Sequence, residues 1–307
     1  MKTLGICSSG LNKGKTNPDN LGYETQCLLY EAQKVYDKVY LIDPMYVSYT
    51  YSHKAKQPDV IYNNTSLNNL STLLVRSTSG CEKPISLLAR TLFYCGCDLI
   101  DPVKRFNGLR AGKLFEPLKG FAKSIMPETY IVFTVKTAKK LIEKIDNNNG
   151  LPLVAKPEKG SKGDNVCLLK NKNDAFKYIE DHFTGRYSNS ALLFQEYIDV
   201  KDEFRVIIIG GKFIGMVKKP DIEGKITRNA AQGGEFIKAY DEEVVLFILK
   251  NTNTRGIIGV DAVRDKQGKI FILESNRSPQ WRSFEKTTNI NVAAKIIEFA
   301  YQRATGK

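Results

Sequence analysis

The chain has 307 residues, of which 42% are apolar, so its length and composition favour two or three packed units with hydrophobic cores. No apolar run approaches the roughly 18 residues that a membrane span needs, and the N-terminal segment MKTLGICSSG lacks the pattern of a signal peptide. We therefore expect a cytoplasmic protein without membrane association. Six scattered cysteines and two histidines argue against a zinc site and favour a reducing compartment.

The formal net charge of +13 favours partners that carry negative charge. The lysines are spread along the chain, and no compact basic and aromatic block marks a nucleic-acid module, so nucleic-acid binding is the weaker interpretation. An acidic peptide, a nucleotide or simple solubility explains the charge equally well.

The N-terminal third alternates strand and helix patterns, as parallel α/β units do. The patterns are, in order, a strand at Thr3–Ile6, a helix at Glu24–Val35, strands at Lys38–Ile42 and Leu73–Arg76, and a helix at Pro84–Tyr94. We predict from this alternation an N-terminal parallel α/β domain over residues 1–101.

The rest of the chain has the patterns of two α+β units. Residues 107–145 are mainly helical in pattern, interrupted by the turn and strand pattern MPETYIVF, and are followed by a loop at DNNNG and the strand patterns LPLVAKP and NVCLLK. Residues 191–307 carry the strand patterns ALLFQEYI, EFRVIIIGGKFIGMVKKP, GIIGVDAVRD and KIFILESN, and a terminal helix at Val292–Arg303. The GG pair predicts a hairpin turn. We predict a central domain over residues 102–190 and a C-terminal domain over residues 191–307.

A strand-borne lysine followed by a glycine loop is the first candidate for chemistry. Lys156 ends the strand pattern LVAKP, and the loop with Gly160, Ser161 and Gly163 comes directly after it. Glycines let backbone N–H groups approach a phosphate, while a fixed lysine supplies a point charge, so the pair suits a triphosphate. The alternative is a solvated hairpin turn.

The strand FQEYI carries Glu196 into a turn that is followed by the acidic residues Asp199, Asp202 and Glu203. Backbone groups at such a turn can meet an adenine edge, and a nearby carboxylate can hold ribose hydroxyls. The alternative is a half-buried strand with a charged edge.

Two strand ends bring hard oxygen ligands together. Asp261 lies in GIIGVDAVRD, and Glu274 and Asn276 share one face of the next strand because side chains alternate with period two. Two carboxylates and an amide suit magnesium, which takes further ligands from nucleotide phosphates. The alternative is ion pairing with Arg264 or Arg277.

The segment ITRNAAQGGEF places Arg228 and Asn229 before a pair of glycines. A guanidinium there could neutralise a phosphoryl group in transfer or an acyl phosphate. The alternative is a solvated loop arginine.

The order of these features resembles that of the ATP-grasp superfamily. A strand lysine precedes a glycine loop, and a QEY-type strand, an Arg-Asn loop, the aspartate Asp261 and the Glu-x-Asn motif Glu274 to Asn276 follow. The segment ESNRSPQWRSFEKTTNINVAAKIIEFA is similar to the RimK-type branch, the ribosomal-protein glutamate ligases, in which ExNxSPG precedes a similar EKTT segment. With LLVRSTSG, the resemblance covers roughly residues 73–304. It implies an ATP-grasp fold, an α/β architecture in which two α+β domains clasp ATP beside the N-terminal α/β domain.

The resemblance also implies roles for the residues at matching positions. The implied ATP contacts are Lys113, Lys156 and the glycine loop at the phosphates, Glu196, Tyr197 and the backbone of Ile198 at the adenine, and Glu203 at the ribose. Asp261, Glu274 and Asn276 would bind Mg²⁺ or Mn²⁺, with two ions expected. Arg228 and Asn229 would reach the phosphates and the acyl phosphate.

The implied reaction is ATP-dependent ligation of a carboxylate to an amine through an acyl phosphate, which forms an amide or peptide bond. We predict an amino acid such as glutamate as one substrate, a peptide, protein or small molecule as the acceptor, and a homo-oligomer, a dimer or tetramer. The alternative is an ATP-binding regulatory or interaction protein without ligase activity. An ADP-release assay with candidate substrates distinguishes the two.

The chain departs from the family pattern directly after its metal motif. Gln280 stands where the family has glycine after Ser-Pro, and Trp281 follows it. Glycine is selected where a backbone needs positive φ or close approach, so this change indicates a different loop path or a reshaped substrate pocket. We predict substrate contacts for Gln280, Trp281, Arg76 and Arg277, and the arginines favour an acidic substrate.

Overall fold

The computed structural model describes residues 1–8, 21–77, 81–100, 125–158, 165–221, 235–252 and 254–306, together with residues 114, 117 and 123. Three sheet-containing parts follow one another along these ranges. Within them, no helix is long and apolar enough to cross a membrane.

The N-terminal part is a parallel sheet flanked by helices, as its alternating pattern predicts. Its strands are β1 (Thr3–Ser8), β2 (Lys38–Ile42), β3 (Val47–Thr50), β4 (Asp59–Tyr62), β5 (Thr65–Ser66), β6 (Thr72–Ser77) and β7 (Asp98–Ile100), and its helices are α1 (Tyr23–Ala32) and α2 (Glu82–Tyr94). The parallel sheet has the order β2-β1-β6-β7. Strands β3, β4 and β5 form a small antiparallel sheet that the sequence patterns did not indicate.

The central part is an antiparallel sheet covered by two helices. Its strands are β8 (Thr129–Val132), β9 (Leu153–Pro157), β10 (Cys167–Leu169) and β11 (Leu192–Glu196), in the order β10-β9-β11-β8. Helices α3 (Val135–Asn147) and α4 (Lys172–Thr184) bury Ile142 and Ile179 in a core with Phe194. Because β11 pairs with β8 and β9, the central sheet extends to residue 196, and the predicted domain bounds at residues 190 and 191 stay predictions.

The C-terminal part is a five-stranded antiparallel sheet. Its strands are β12 (Val200–Ile209), β13 (Lys212–Lys219), β14 (Ile237–Lys238), β15 (Ile257–Asp265) and β16 (Ile270–Asn276), and its helices are α5 (Glu242–Asn251), α6 (Arg282–Thr288) and α7 (Val292–Thr305). The sheet order is β14-β13-β12-β15-β16. Gly210 and Gly211 have φ of +59° and +85°, which fits the predicted two-residue hairpin between β12 and β13.

Side chains of the C-terminal sheet alternate between two different environments. On one face, Val206 and Ile208 pack with Val260 in a core that includes residues of α5. On the other face, Ile207 and Ile209 join α6, α7 and the N-terminal sheet in one shared core. This second face changes from apolar to charged along the strands, and its charged end carries the candidate site.

Candidate active site

A cluster of four ionic side chains occupies the charged end of the C-terminal sheet. Arg205 on β12 faces Asp261 on β15, its cross-strand partner, and binds it through two hydrogen bonds, Nε to Oδ1 at 2.7 Å and Nη2 to Oδ2 at 2.6 Å. Lys219 on β13 donates to Asp261 Oδ2 at 3.0 Å and to Glu203 Oε1 at 2.6 Å. The two cations and two carboxylates balance, which is the condition for burying such charges.

The cluster fixes the protonation states of its members. Burial opposes ionisation of Asp261, but the charges of Arg205 and Lys219 outweigh it and hold the pKa of this carboxyl well below its usual range. Burial likewise opposes the charge of Lys219, whereas Asp261 and Glu203 raise the pKa of its ammonium group. Asp261 is therefore an anion and Lys219 a cation throughout the neutral range.

The three predicted metal ligands lie on one face of neighbouring strands. Asp261 pairs with Glu274 and Gly259 pairs with Asn276 across β15 and β16. The register shifts after Asp261, which marks a β-bulge of the kind that redirects side chains next to active sites. Asn276 Oδ1 accepts the Ser278 N–H at 2.9 Å, so its amide also turns the chain at the strand end.

The chemistry of this donor set fits a hard divalent cation. Two carboxylates and an amide oxygen are ligands that Mg²⁺ prefers, and the Glu274 carboxylate has no hydrogen-bond partner in the part of the chain that the structure describes. The same part contains no cluster of three or more histidine, cysteine, aspartate or glutamate side chains that could hold a metal.

Arg264 was one of the two arginines that could have paired with the predicted metal ligands, but it pairs with other carboxylates. Its guanidinium binds Asp241 at 2.8 Å and Glu243 at 2.8 Å. The partners of Asp261 are therefore Arg205 and Lys219.

A small cleft lies between the central and C-terminal sheets at this point. Lys156 on β9 and Glu274 on β16 both line it, together with Gln195 and Thr129. Gln195 Oε1 accepts from Lys156 Nζ at 2.9 Å, and Gln195 Nε2 donates to Thr129 Oγ1 at 2.9 Å. Gln195 therefore holds the ammonium group in a cleft that the Glu274 carboxylate of the other sheet also lines.

The predicted adenine segment leaves the central sheet beside β8. Glu196 is exposed; its N–H donates to the Glu128 carbonyl at 2.8 Å, and its carboxylate accepts the Glu128 N–H at 3.1 Å. Tyr197 is 40% exposed and Ile198 is half-buried. The adenine contacts of these residues stay predictions, whereas Glu203, predicted at the ribose, is buried against Lys219.

Six of the predicted site residues lie outside the described residues. They are Lys113, Gly160, Ser161, Gly163, Arg228 and Asn229. Their roles at the phosphates and the acyl phosphate stay predictions.

The predicted substrate residues fall into different environments. Trp281 is fully buried in the core shared with the N-terminal sheet, and the guanidinium of Arg76 stacks on its indole at 4.5 Å. Arg76 also donates to the Pro279 carbonyl at 3.1 Å. A fully buried indole does not line an open pocket, so the structure gives Trp281 a packing role. Gln280 is exposed and Arg277 half-buried, and their substrate contacts stay predictions.

Sequence reasoning did not single out Arg205, Lys219 or Gln195. Arg205 had a signal, since Glu203 and Arg205 are polar residues at period two directly before the apolar run Val206–Ile209. Lys219 had none, because its partners lie 16 and 42 residues away along the chain.

Comparison with known proteins agrees with this geometry. The pattern of the RimK-like ATP-grasp domain matches residues 119–300. A probable alpha-L-glutamate ligase from Maridesulfovibrio salexigens is 27% identical over 300 residues, which cover 92% of each chain. A ribosomal protein bS6–L-glutamate ligase from Shigella boydii serotype 4 is 30% identical over 185 residues, which cover 59% of each chain.

A solved structure has the same fold. The ATP-grasp ligase PsnB, complexed with a minimal precursor, aligns with a TM-score of 0.70 at 14% identity and covers 99% of both chains. Another PsnB structure contains minimal precursor, Mg and ADP. The fold and enzyme class predicted from the sequence are thus confirmed, and the relatives favour ligation over regulatory nucleotide binding. The chain belongs to the RimK-like ATP-grasp family and is an ATP-dependent carboxylate-amine ligase.

Proposed function

We propose that this ligase adds an amino acid, with glutamate as the first candidate, to a peptide, protein or small acceptor through an acyl phosphate. The observation that carries the proposal is the cleft in which Lys156 of one sheet meets Glu274 of another. A cation and a carboxylate brought together from two sheets suit a substrate that is itself a metal-bound polyphosphate.

The residues in and beside the cleft would bind ATP and its metal. Lys156 would contact an ATP phosphate, and Gln195 holds its ammonium group in place. Asp261, Glu274 and Asn276 would hold Mg²⁺, with two ions proposed and Mn²⁺ as a substitute. The metal would neutralise charge on the phosphates while they react.

The reaction balances without a nucleophilic side chain. A carboxylate oxygen of the first substrate forms a bond to the γ-phosphorus, and the bond from that phosphorus to the β–γ bridging oxygen breaks, which releases ADP. The amine nitrogen of the second substrate then bonds to the acyl carbon, inorganic phosphate leaves, and the nitrogen loses a proton. Positioning and charge neutralisation therefore carry the catalysis.

Glutamate as the first candidate rests on two supports. The relatives from Maridesulfovibrio salexigens and Shigella boydii are named glutamate ligases. The net charge of +13 suits an acidic substrate or an acidic peptide acceptor. We also propose a cytoplasmic homo-oligomer, either a dimer or a tetramer.

The test is a substrate screen with a matched variant. Purified protein with ATP and Mg²⁺ is offered amino acids and short peptides, ADP release is measured, and products are identified by mass spectrometry. We expect release to depend on a substrate pair and a product heavier than the acceptor by one amino-acid residue. Glu274→Gln should abolish release, and a variant that turns over normally would contradict the metal assignment.

A further inference from the structure

We propose that Arg205 and Lys219 are positioning residues that restrict Asp261 to binding its metal through a single oxygen, Oδ1. The inference rests on the proposed function, since it concerns how the same site selects its metal. It follows from the hydrogen bonds of one carboxylate.

The carboxylate of Asp261 has little capacity left for a metal. A carboxylate offers about four lone-pair positions, two on each oxygen. Oδ2 accepts from Arg205 Nη2 at 2.6 Å and from Lys219 Nζ at 3.0 Å, so both of its positions are used. Among the residues that the structure describes, Oδ1 accepts only from Arg205 Nε, at 2.7 Å. One position therefore remains, and it lies on Oδ1.

The guanidinium of Arg205 is a rigid planar group, and the backbone holds it close to the Asp261 carboxylate. Arg205 and Asp261 are cross-strand partners on β12 and β15, so backbone pairing fixes the distance between them. The planar guanidinium matches both carboxylate oxygens at once, which holds the plane of the carboxylate as well as its position.

Lys219 adds a second constraint from the other side. Its side chain is 2% exposed, its ammonium group contacts both Asp261 and Glu203, and β13 pairs Lys219 directly with Glu203. The carboxylate predicted at the ribose and the carboxylate predicted at the metal are thus joined through one buried cation. A shift of either acid would leave a buried charge without its partner, which is costly.

Glu274 is different, because its carboxylate has no hydrogen bond among the residues that the structure describes. The site therefore pairs one restrained carboxylate with one unrestrained carboxylate. Mg²⁺ requires a tight octahedral shell of single oxygens, whereas Ca²⁺ is larger and readily takes both oxygens of a carboxylate. A carboxylate that can offer one oxygen alone disfavours Ca²⁺, so the Arg205 and Lys219 contacts select for the smaller ion.

The test measures metal selectivity, which a general loss of stability would not change. The binding of AMPPNP to the intact chain is measured by calorimetry in Mg²⁺ and in Ca²⁺, and the two affinities give a ratio. Arg205→Lys keeps the charge but removes the fork. We expect it to shift the ratio towards Ca²⁺ by about tenfold, the lower end of the usual effect of residues that orient metal ligands.

A second variant and a control complete the design. Lys219→Met combined with Glu203→Gln keeps the cluster neutral, frees a position on Oδ2, and should shift the ratio in the same direction. Arg264→Lys changes an arginine on the same strand as Asp261 that binds other acids, so it should leave the ratio unchanged.

The outcomes separate the inference from the proposed function. If native protein binds AMPPNP with Mg²⁺ but the variants weaken binding equally in both metals, the positioning role is wrong and the ligase proposal stands. If native protein shows no metal-dependent nucleotide binding, both are overturned.

Discussion

Gly259 is the position at which the smallest substitution should have the clearest effect on the site. It lies on β15 two residues before Asp261, and its cross-strand partner is Asn276. A Cβ atom at this position would lie 2.7 Å from Pro279 Cβ and 3.4 Å from Pro279 Cγ. The chain that turns back after Asn276 thus rests directly on the glycine, and Gly259→Ala would push it away.

The size of the effect follows from these distances. Carbon atoms in favourable contact are about 3.5–4 Å apart, so Pro279 would have to move by roughly 1 Å. Its carbonyl is held by Arg76 at 3.1 Å, which resists that movement. Overpacking of a well-packed site costs about 1–3 kcal/mol, and we expect Gly259→Ala to lower the free energy of unfolding by this amount. Asn276 should be displaced with the turn, which would weaken binding of Mg²⁺ with AMPPNP.

Two measurements check the prediction. Urea unfolding reports the loss of stability, and calorimetric titration with AMPPNP and Mg²⁺ reports the damage to the site. Gly215→Ala is the control, because Gly215 lies on β13 of the same sheet and is packed as tightly. A Cβ at this position would lie 2.8 Å from Phe284 Cζ and 2.9 Å from Ile290 Cδ1. The control should lose stability but keep its affinity.

A double variant tests the cause directly. Pro279→Gly removes the atoms that a Cβ at position 259 would meet, so the two changes together should cost less than the sum of the single effects. Strict additivity, or a Gly259→Ala protein as stable as the native one, would refute the steric reasoning.

Four further substitutions test other parts of the structure. Lys156→Met should weaken ATP binding about tenfold or more, with a smaller effect for Gln195→Leu, and calorimetry measures both. Phe194→Ala should destabilise the central sheet by about 3–5 kcal/mol in urea unfolding, because the ring is fully buried. Burial opposes ionisation of Asp241, but the Arg264 contact helps to lower the pKa of this carboxyl below its usual value. The ionised Asp241 therefore contributes fully to stability above a pH of roughly 4, and this contribution is lost as the pH falls through the lower folded-state pKa. Asp241→Asn should remove this acid dependence from unfolding midpoints measured between about pH 2 and 7.

Much of the fold could be predicted because its signals are local. Alternating patterns gave the parallel N-terminal sheet, and the pair Gly210-Gly211 gave the hairpin turn, whose positive φ values glycine adopts easily. Period two placed Glu274 and Asn276 on one face, and the register of β15 and β16 adds Asp261 to that face. These features depend on neighbours in the chain or on strand geometry alone.

The features that were missed depend on contacts between distant residues. Strand β11 directly precedes the C-terminal sheet in sequence, and only its pairing with β8 and β9 assigns it to the central sheet. Lys219 ends an ordinary strand pattern, and its importance appears only when β12 and β15 bring Glu203 and Asp261 to it. No local pattern reports such contacts.

The loop that departs from the family pattern, Pro279 to Trp281, is anchored to the N-terminal domain. Arg76 donates to the Pro279 carbonyl, and the backbone N–H of Trp281 donates to Glu24 Oε1 at 3.1 Å, so the N-terminal domain fixes the backbone on both sides of Gln280. The indole of Trp281 is fully buried, but Gln280 is exposed. Between two fixed neighbours, an exposed side chain lies at a defined place four residues beyond Asn276. Of the two residues that follow Ser-Pro, Gln280 is therefore the exposed one and Trp281 the packed one, so the predicted substrate contact is retained for Gln280 as a prediction and not for Trp281.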